Sequence, residues 1–159
     1  MISSQFPNAT ILVPFRDPSQ HAVSLLTQHK NFIEKNSLEP FVGRYMELIG
    51  HTEFGPSYKP IEVPRLKFTD RYDINHWLEQ WLYTYQRSYD ELASIDNIYF
   101  IRYESLCSSE DCWNRLQALL DINCSSQFSL STKTLTPSID EFLLNDCRNL
   151  YYDLSQLAL

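Results

Sequence analysis

Residues 10–29, TILVPFRDPSQHAVSLLTQH, constrain the fold more than any other stretch of the chain: an apolar run, then Arg-Asp-Pro, then a helical pattern with a serine eight residues after the arginine. The run Ile11–Phe15 has the length and composition of a short buried strand. Asp17 suits a helix N-cap, Pro18 the first helical position, and Gln20 the closing position of an Asp-x-x-Gln capping box. The spacing of Ala22, Leu25, Leu26, His29, Phe32 and Ile33 predicts an amphipathic helix over residues 18–34, with His29 as a packing residue on its apolar stripe. Arg16 then falls where a strand's carboxyl end meets a helix amino end. Open α/β sheets bind ligands at such a corner, and free backbone N–H groups there favour negative charge. Ser24 lies about two helical turns further on, within reach of the same anion.

A second apolar run, Ile98–Arg102, is the partner expected for the first. Near-continuous apolar strands of this kind belong to parallel sheets covered on both faces. The two are expected to be parallel, adjacent or one strand apart, in a single domain spanning residues 1–159. Between them, residues 40–49 read as a short helix that Gly50 stops, and residues 74–93 as the clearest amphipathic helix, with Trp77, Leu78, Trp81, Leu82 and Tyr85 on one side. Residues 51–73, with Pro56, Pro60 and Pro64, are too long for a simple connector and read as a lid or substrate loop. After Pro137, Ser138 and Glu141 form a capping box for a last helix that docks Phe142, Leu143, Cys147, Leu150, Tyr151 and Leu154 on the core.

The segment around Arg16 and Ser24 resembles the 3′-phosphate-binding element of sulfotransferases that use 3′-phosphoadenosine 5′-phosphosulfate (PAPS). Residues 97–122, NIYFIRYESLCSSEDCWNRLQALLDI, are similar to the same family's later strand, Arg-Tyr-Glu-acid-Leu turn and helix: Arg102, Tyr103, Glu104 and Leu106 match, and Ser105 departs from the usual acid. The resemblance implies an α/β, P-loop-like sulfotransferase fold with a small parallel sheet flanked by helices. It also implies PAPS as sulfuryl donor, Arg16 and Ser24 as cofactor-binding residues, and an unknown hydroxyl or amine acceptor. The family's Gly/Ser/Thr-rich 5′-phosphosulfate loop should lie upstream, whereas only nine residues precede Thr10 and the three glycines, Gly43, Gly50 and Gly55, form no Gly-rich turn. The expectation is therefore an N-terminally truncated domain that keeps the 3′-phosphate grip.

Two local groups extend the candidate site. His51 and Glu53, in GHTEFG, pair an imidazole with a carboxylate able to orient it, the pattern of a general base, and Arg44 and Arg65 lie near in sequence. Lys133, in Thr-Lys-Thr before the last helix, is a further candidate phosphate contact. Glu104 is expected to cap or pair locally with Arg102. A net charge of −7 argues against nonspecific nucleic-acid binding. No stretch reads as a membrane span or secretory signal, which makes a cytoplasmic location the expectation. Cys107, Cys112, Cys124 and Cys147 lack Cys-x-x-Cys spacing and read as reduced thiols rather than zinc ligands or disulfides, so no metal is expected.

Three functions stay open on the sequence. One is PAPS-dependent sulfuryl transfer. Another is a catalytically inactive remnant that serves as a binding or assembly subunit, with self-association or a partner chain on an exposed strand edge. The third, a kinase-like phosphotransferase, is disfavoured because no Gly-x-x-x-x-Gly-Lys-Ser/Thr pattern occurs.

Overall fold

The computed structural model describes residues 5–61, 63–125, 128–134 and 138–159. Their elements follow in the order β1 (Ile11–Phe15), α1 (Pro18–Leu38), α2 (Pro40–Leu48), α3 (Ile74–Leu92), β2 (Ile98–Arg102), α4 (Tyr103–Ser108), α5 (Glu110–Leu120) and α6 (Glu141–Leu157). The chain divides into two compact units, the first made of residues 1–17, 85–132 and 148–159, the second of 18–84 and 133–147.

In the first unit β1 and β2 are adjacent and parallel, in register from Ile11 opposite Ile98 to Phe15 opposite Arg102, as their apolar patterns anticipate. The Ile11 N–H donates to the Asn97 carbonyl at 2.9 Å. In a parallel ladder alternate residues turn both backbone groups to the partner strand, so Ile11, Val13 and Phe15 face β2 while Leu12 and Pro14 face the outer edge. Pro14 has no N–H to offer there, and its carbonyl accepts from the Tyr85 hydroxyl at 2.8 Å. The outer edge is thereby blunted at its centre. Burial pushes the Tyr85 phenol up to about 12, so the group stays a donor. Beyond β2, Ala158 forms a parallel bridge with Phe100, and the Leu159 N–H donates to the Phe100 carbonyl at 2.9 Å. Phe15, only 1% exposed, meets the rings of Tyr85 and Tyr151 edge-on at 6.5 and 5.6 Å.

The second unit is built on α1. This helix runs past the expected end at Glu34 to Leu38 and stops because Pro40 disfavours helical backbone at the residue before it; Glu39 is extended, with φ −126° and ψ 87°. After α2, Gly50 adopts φ +70°, the left-handed turn foreseen for it. The last helix starts differently from the expected capping box. Its cap is Asp140, whose carboxylate accepts the Leu143 N–H at 3.0 Å, a bond that holds the Asp140 carboxyl below the usual range. Ser138 instead gives its carbonyl to the Asn75 amide at 3.3 Å, and Pro137 lies outside the described residues. Phe142 is 86% exposed rather than docked, because the inward row of α6 is Leu143, Cys147, Leu150 and Leu154, and a residue one position off that row points away from it.

Residues 51–61 and 63–73 contain no helix or strand, yet side chains of α1 and α3 satisfy much of their backbone. The Glu79 carboxylate accepts the Lys67 and Phe68 N–H groups at 2.9 Å, and the Trp77 indole donates to the Arg71 carbonyl at 3.0 Å. His76 sits between the Phe68 carbonyl at 2.7 Å and the Tyr58 hydroxyl at 2.8 Å. The stretch is a strap pinned at several points, an arrangement that answers the demand of every buried backbone group for a partner. Among the described residues no helix is long and apolar enough to cross a membrane.

Candidate functional site

The corner after β1 is assembled by the turn after β2. Arg16 leaves the strand with its guanidinium 4.8 Å from the centre of the Tyr103 ring and donates to the Ser131 carbonyl. The Tyr103 hydroxyl donates in turn to the Ser129 carbonyl and accepts the Ser131 N–H, both at 3.3 Å. A planar guanidinium laid on an aromatic face keeps its charge and a fixed orientation. Glu104 completes the seat: one carboxylate oxygen accepts the Asp17 N–H at 3.0 Å, across 87 residues of sequence, and the other accepts the Tyr151 hydroxyl at 2.9 Å. Burial, together with the Glu104 contact, raises the Tyr151 phenol well above its ordinary value, so it remains a protonated donor. The expected local pairing of Glu104 with Arg102 is therefore corrected. Glu104 is a long-range tie between the two stretches that stand out in the sequence.

At the amino end of α1, Pro18 and Ser19 are buried. The Gln20 side chain accepts the Lys133 N–H at 2.6 Å and donates to the Lys133 carbonyl at 3.2 Å. That reciprocal pair fixes the Lys133 backbone against the first helical turn, where N–H groups lack helical partners. The Asp17 N–H, which the expected capping box assigns to the Gln20 side chain, goes to Glu104 instead, and that side chain bonds Lys133. Ser24 lies on α1, half-buried, in the same unit as Lys133; Arg16 belongs to the other unit.

His51 and Glu53 are brought together in the strap. The imidazole Nε2 lies 3.5 Å from a Glu53 carboxylate oxygen that also accepts the Thr52 N–H at 3.0 Å. The His51 ring stacks on Phe32 with centroids 5.1 Å apart and planes 5° from parallel. Its Nδ1 is buried and has no hydrogen-bond partner among the described residues. With Nε2–H turned to the carboxylate, Nδ1 carries the lone pair, which is the basic form of the ring. His51 lines a cavity of about 240 Å³ together with Asn36, Arg44, Glu47 and Ser57, while Arg65 does not line it.

Several parts of these sites carry no local sequence signal. Tyr103 and Glu104 stand out as a motif, but nothing in their own neighbourhood names Arg16 and Asp17 as their partners. The same holds for Gln20 with Lys133, and for the ring cluster of His29, Tyr58, Tyr72, His76 and Trp77 beneath the strap. Among the described residues no group of three or more His, Cys, Asp or Glu side chains is placed to hold a metal ion, and the four cysteines are free thiols, with Cys112 and Cys147 buried. No family model, curated protein or solved structure matches the chain.

Proposed function

We propose that this chain is a sulfotransferase-like protein that binds PAPS and its desulfonated product, adenosine 3′,5′-bisphosphate, and passes the sulfuryl group to a hydroxyl or amine acceptor. Arg16 and Ser24 grip the 3′-phosphate in this reading, and Lys133 adds a contact from the segment held at the start of α1. The observation that supports it best is the meeting of the two motif stretches in the first unit, where the Tyr103 ring and the Glu104 carboxylate seat Arg16 and Asp17 at the carboxyl end of a parallel strand. A bound phosphate adds charge-assisted hydrogen bonds to a guanidinium whose orientation is already fixed.

In the transfer step the acceptor oxygen or nitrogen forms a bond to sulfur while the sulfur–oxygen bond to the bisphosphate breaks, and the acceptor proton passes to His51 Nδ1. Glu53 holds the other ring nitrogen and stabilises the imidazolium that results. Nδ1 is closed to solvent in this conformation, so the acceptor reaches it only after the strap shifts.

Isothermal calorimetry with adenosine 3′,5′-bisphosphate tests the grip. Arg16→Ala is expected to weaken binding by about 1.5–3 kcal/mol, the scale of a hydrogen bond to a charged group. Equal affinity for wild type and Arg16→Ala overturns the assignment. Where wild type turns over PAPS with any of a panel of phenols, alcohols and amines, His51→Ala is expected to lower that turnover about 10²–10⁴-fold, the usual contribution of a positioned base. Unchanged turnover removes His51 from the mechanism. Nucleotide binding without turnover in wild type selects the inactive binding-subunit reading instead.

A further inference from the structure

We propose that the strap, residues 51–61 and 63–73, is a pH-dependent latch, held closed by the neutral imidazole of His29 and released when that ring takes up a proton. The latch does not rest on sulfuryl transfer and stands whatever the chain binds. His29 lies on α1, 0% exposed, and its Nδ1 accepts the Gly55 N–H at 3.3 Å. An acceptor nitrogen carries no hydrogen, so the neutral ring has its proton on Nε2, which is buried without a hydrogen-bond partner among the described residues. The rings of Tyr58, Tyr72 and Trp77 surround the imidazole with centroids at 5.1, 5.8 and 5.5 Å.

Protonation places a second hydrogen on Nδ1, directly against the Gly55 N–H. Two donors then face each other, and the hydrogen bond from the Gly55 N–H to α1 is lost. The new cation also has no neutralising partner among the described residues. Among the described residues, the charged and titratable groups around the ring are Arg71, Tyr58 and Tyr72 from the strap and His76 from α3, none of them a carboxylate. A buried cation without a partner is relieved by reaching water, and the strap is what covers it. Gly55 is suited to this close approach: its φ of +85° lies in the left-handed region, and a Cβ there would come within 3.3 Å of the Asn36 amide.

Burial, then Arg71 and His76, lower the His29 pKa from its ordinary value of 6.5. The closed form therefore holds fewer protons than the open form. Closure is fully favoured above about 6.5 and weakens by up to about tenfold for each pH unit below it, until the lowered value is reached. Since His51 and Ser57 of the strap wall the 240 Å³ cavity, release of the latch opens that cavity.

Hydrogen exchange of the full chain tests the latch, read at the amides of Gly55, Lys67 and Phe68 and corrected for the intrinsic pH dependence of exchange. Their opening is expected to rise about tenfold between pH 7.5 and 5.5, while the amides of Val13 and Phe15 in the β1 ladder stay unchanged. His29→Asn keeps an acceptor at the Nδ1 position without a titrating ring and is expected to abolish the rise; His76→Gln is expected to retain it. A pH-independent strap in wild type overturns the proposal, as does a rise that survives His29→Asn or disappears in His76→Gln. The histidine ring signals of the unmodified protein give a second reading that needs no variant. His29 is expected to protonate in step with the exposure of Gly55, and protonation of His29 beneath a fully protected strap would refute the latch.

Discussion

Replacing Glu104 with alanine is expected to destabilise the protein by about 2–4 kcal/mol, because two donors lose their acceptor in one step and a partly buried unpaired donor costs roughly 1–3 kcal/mol. The donors are the Asp17 N–H and the Tyr151 hydroxyl, 87 and 47 residues from Glu104 in sequence. Glu104→Gln has one carbonyl oxygen, and its amide turns a donor toward whichever partner it does not accept from, so it is expected to recover only part of the loss. Tyr151→Phe removes a donor together with its demand and is expected to cost less than either change at Glu104. Urea unfolding checks the series: the midpoint should fall in the order Tyr151→Phe, Glu104→Gln, Glu104→Ala, with unchanged slope. An unfolding free energy for Glu104→Ala within about 0.5 kcal/mol of wild type would show that the carboxylate is not the tie described.

The other large effect lies one residue before the arginine. Phe15→Ala is expected to destabilise by about 3–5 kcal/mol, the range for removing a fully buried aromatic ring. Phe15 is 1% exposed and makes edge-on contacts with Tyr85 and Tyr151, so its loss opens a void beside both hydroxyl ties, the one to Pro14 and the one to Glu104. Phe15→Leu refills much of that volume and is expected to cost less than half as much. Thermal unfolding separates the two, and a Phe15→Ala protein that melts with wild type would contradict the packing. Arg16 follows directly on Phe15, so under the proposed function the same alanine variant should also weaken nucleotide binding, whereas Phe15→Leu should preserve it.

The elements were legible in the sequence wherever one local rule decides the outcome. Two apolar runs of strand length gave β1 and β2; Pro18 marked the start of α1, and Gly50 the turn after α2. Trp77, Leu78, Trp81 and Tyr85 of the row expected on α3 are buried as their helical spacing requires, and Leu82 is half-buried. Even the misreadings were local contests. Asp140 outcompeted Ser138 as the cap of α6, and Phe142, one position before Leu143, lies off the inward row that Leu143, Cys147, Leu150 and Leu154 define.

What the sequence left undetermined are the partners. Glu104 has a basic neighbour at Arg102 and still spends both oxygens on residues far away in the chain; Gln20 stands at the right place for a capping box and bonds Lys133 instead. His29 is one more residue of an apolar stripe until the strap lays the Gly55 N–H on its ring. Strand length, helix phase and turn chemistry depend on residues within a few positions of one another, so the order of residues fixes them. Which carboxylate meets which N–H, and which imidazole is sealed from water, depends on segments brought together from distant parts of the chain. Many pairings would satisfy the same donors and acceptors, and only the packed structure selects one.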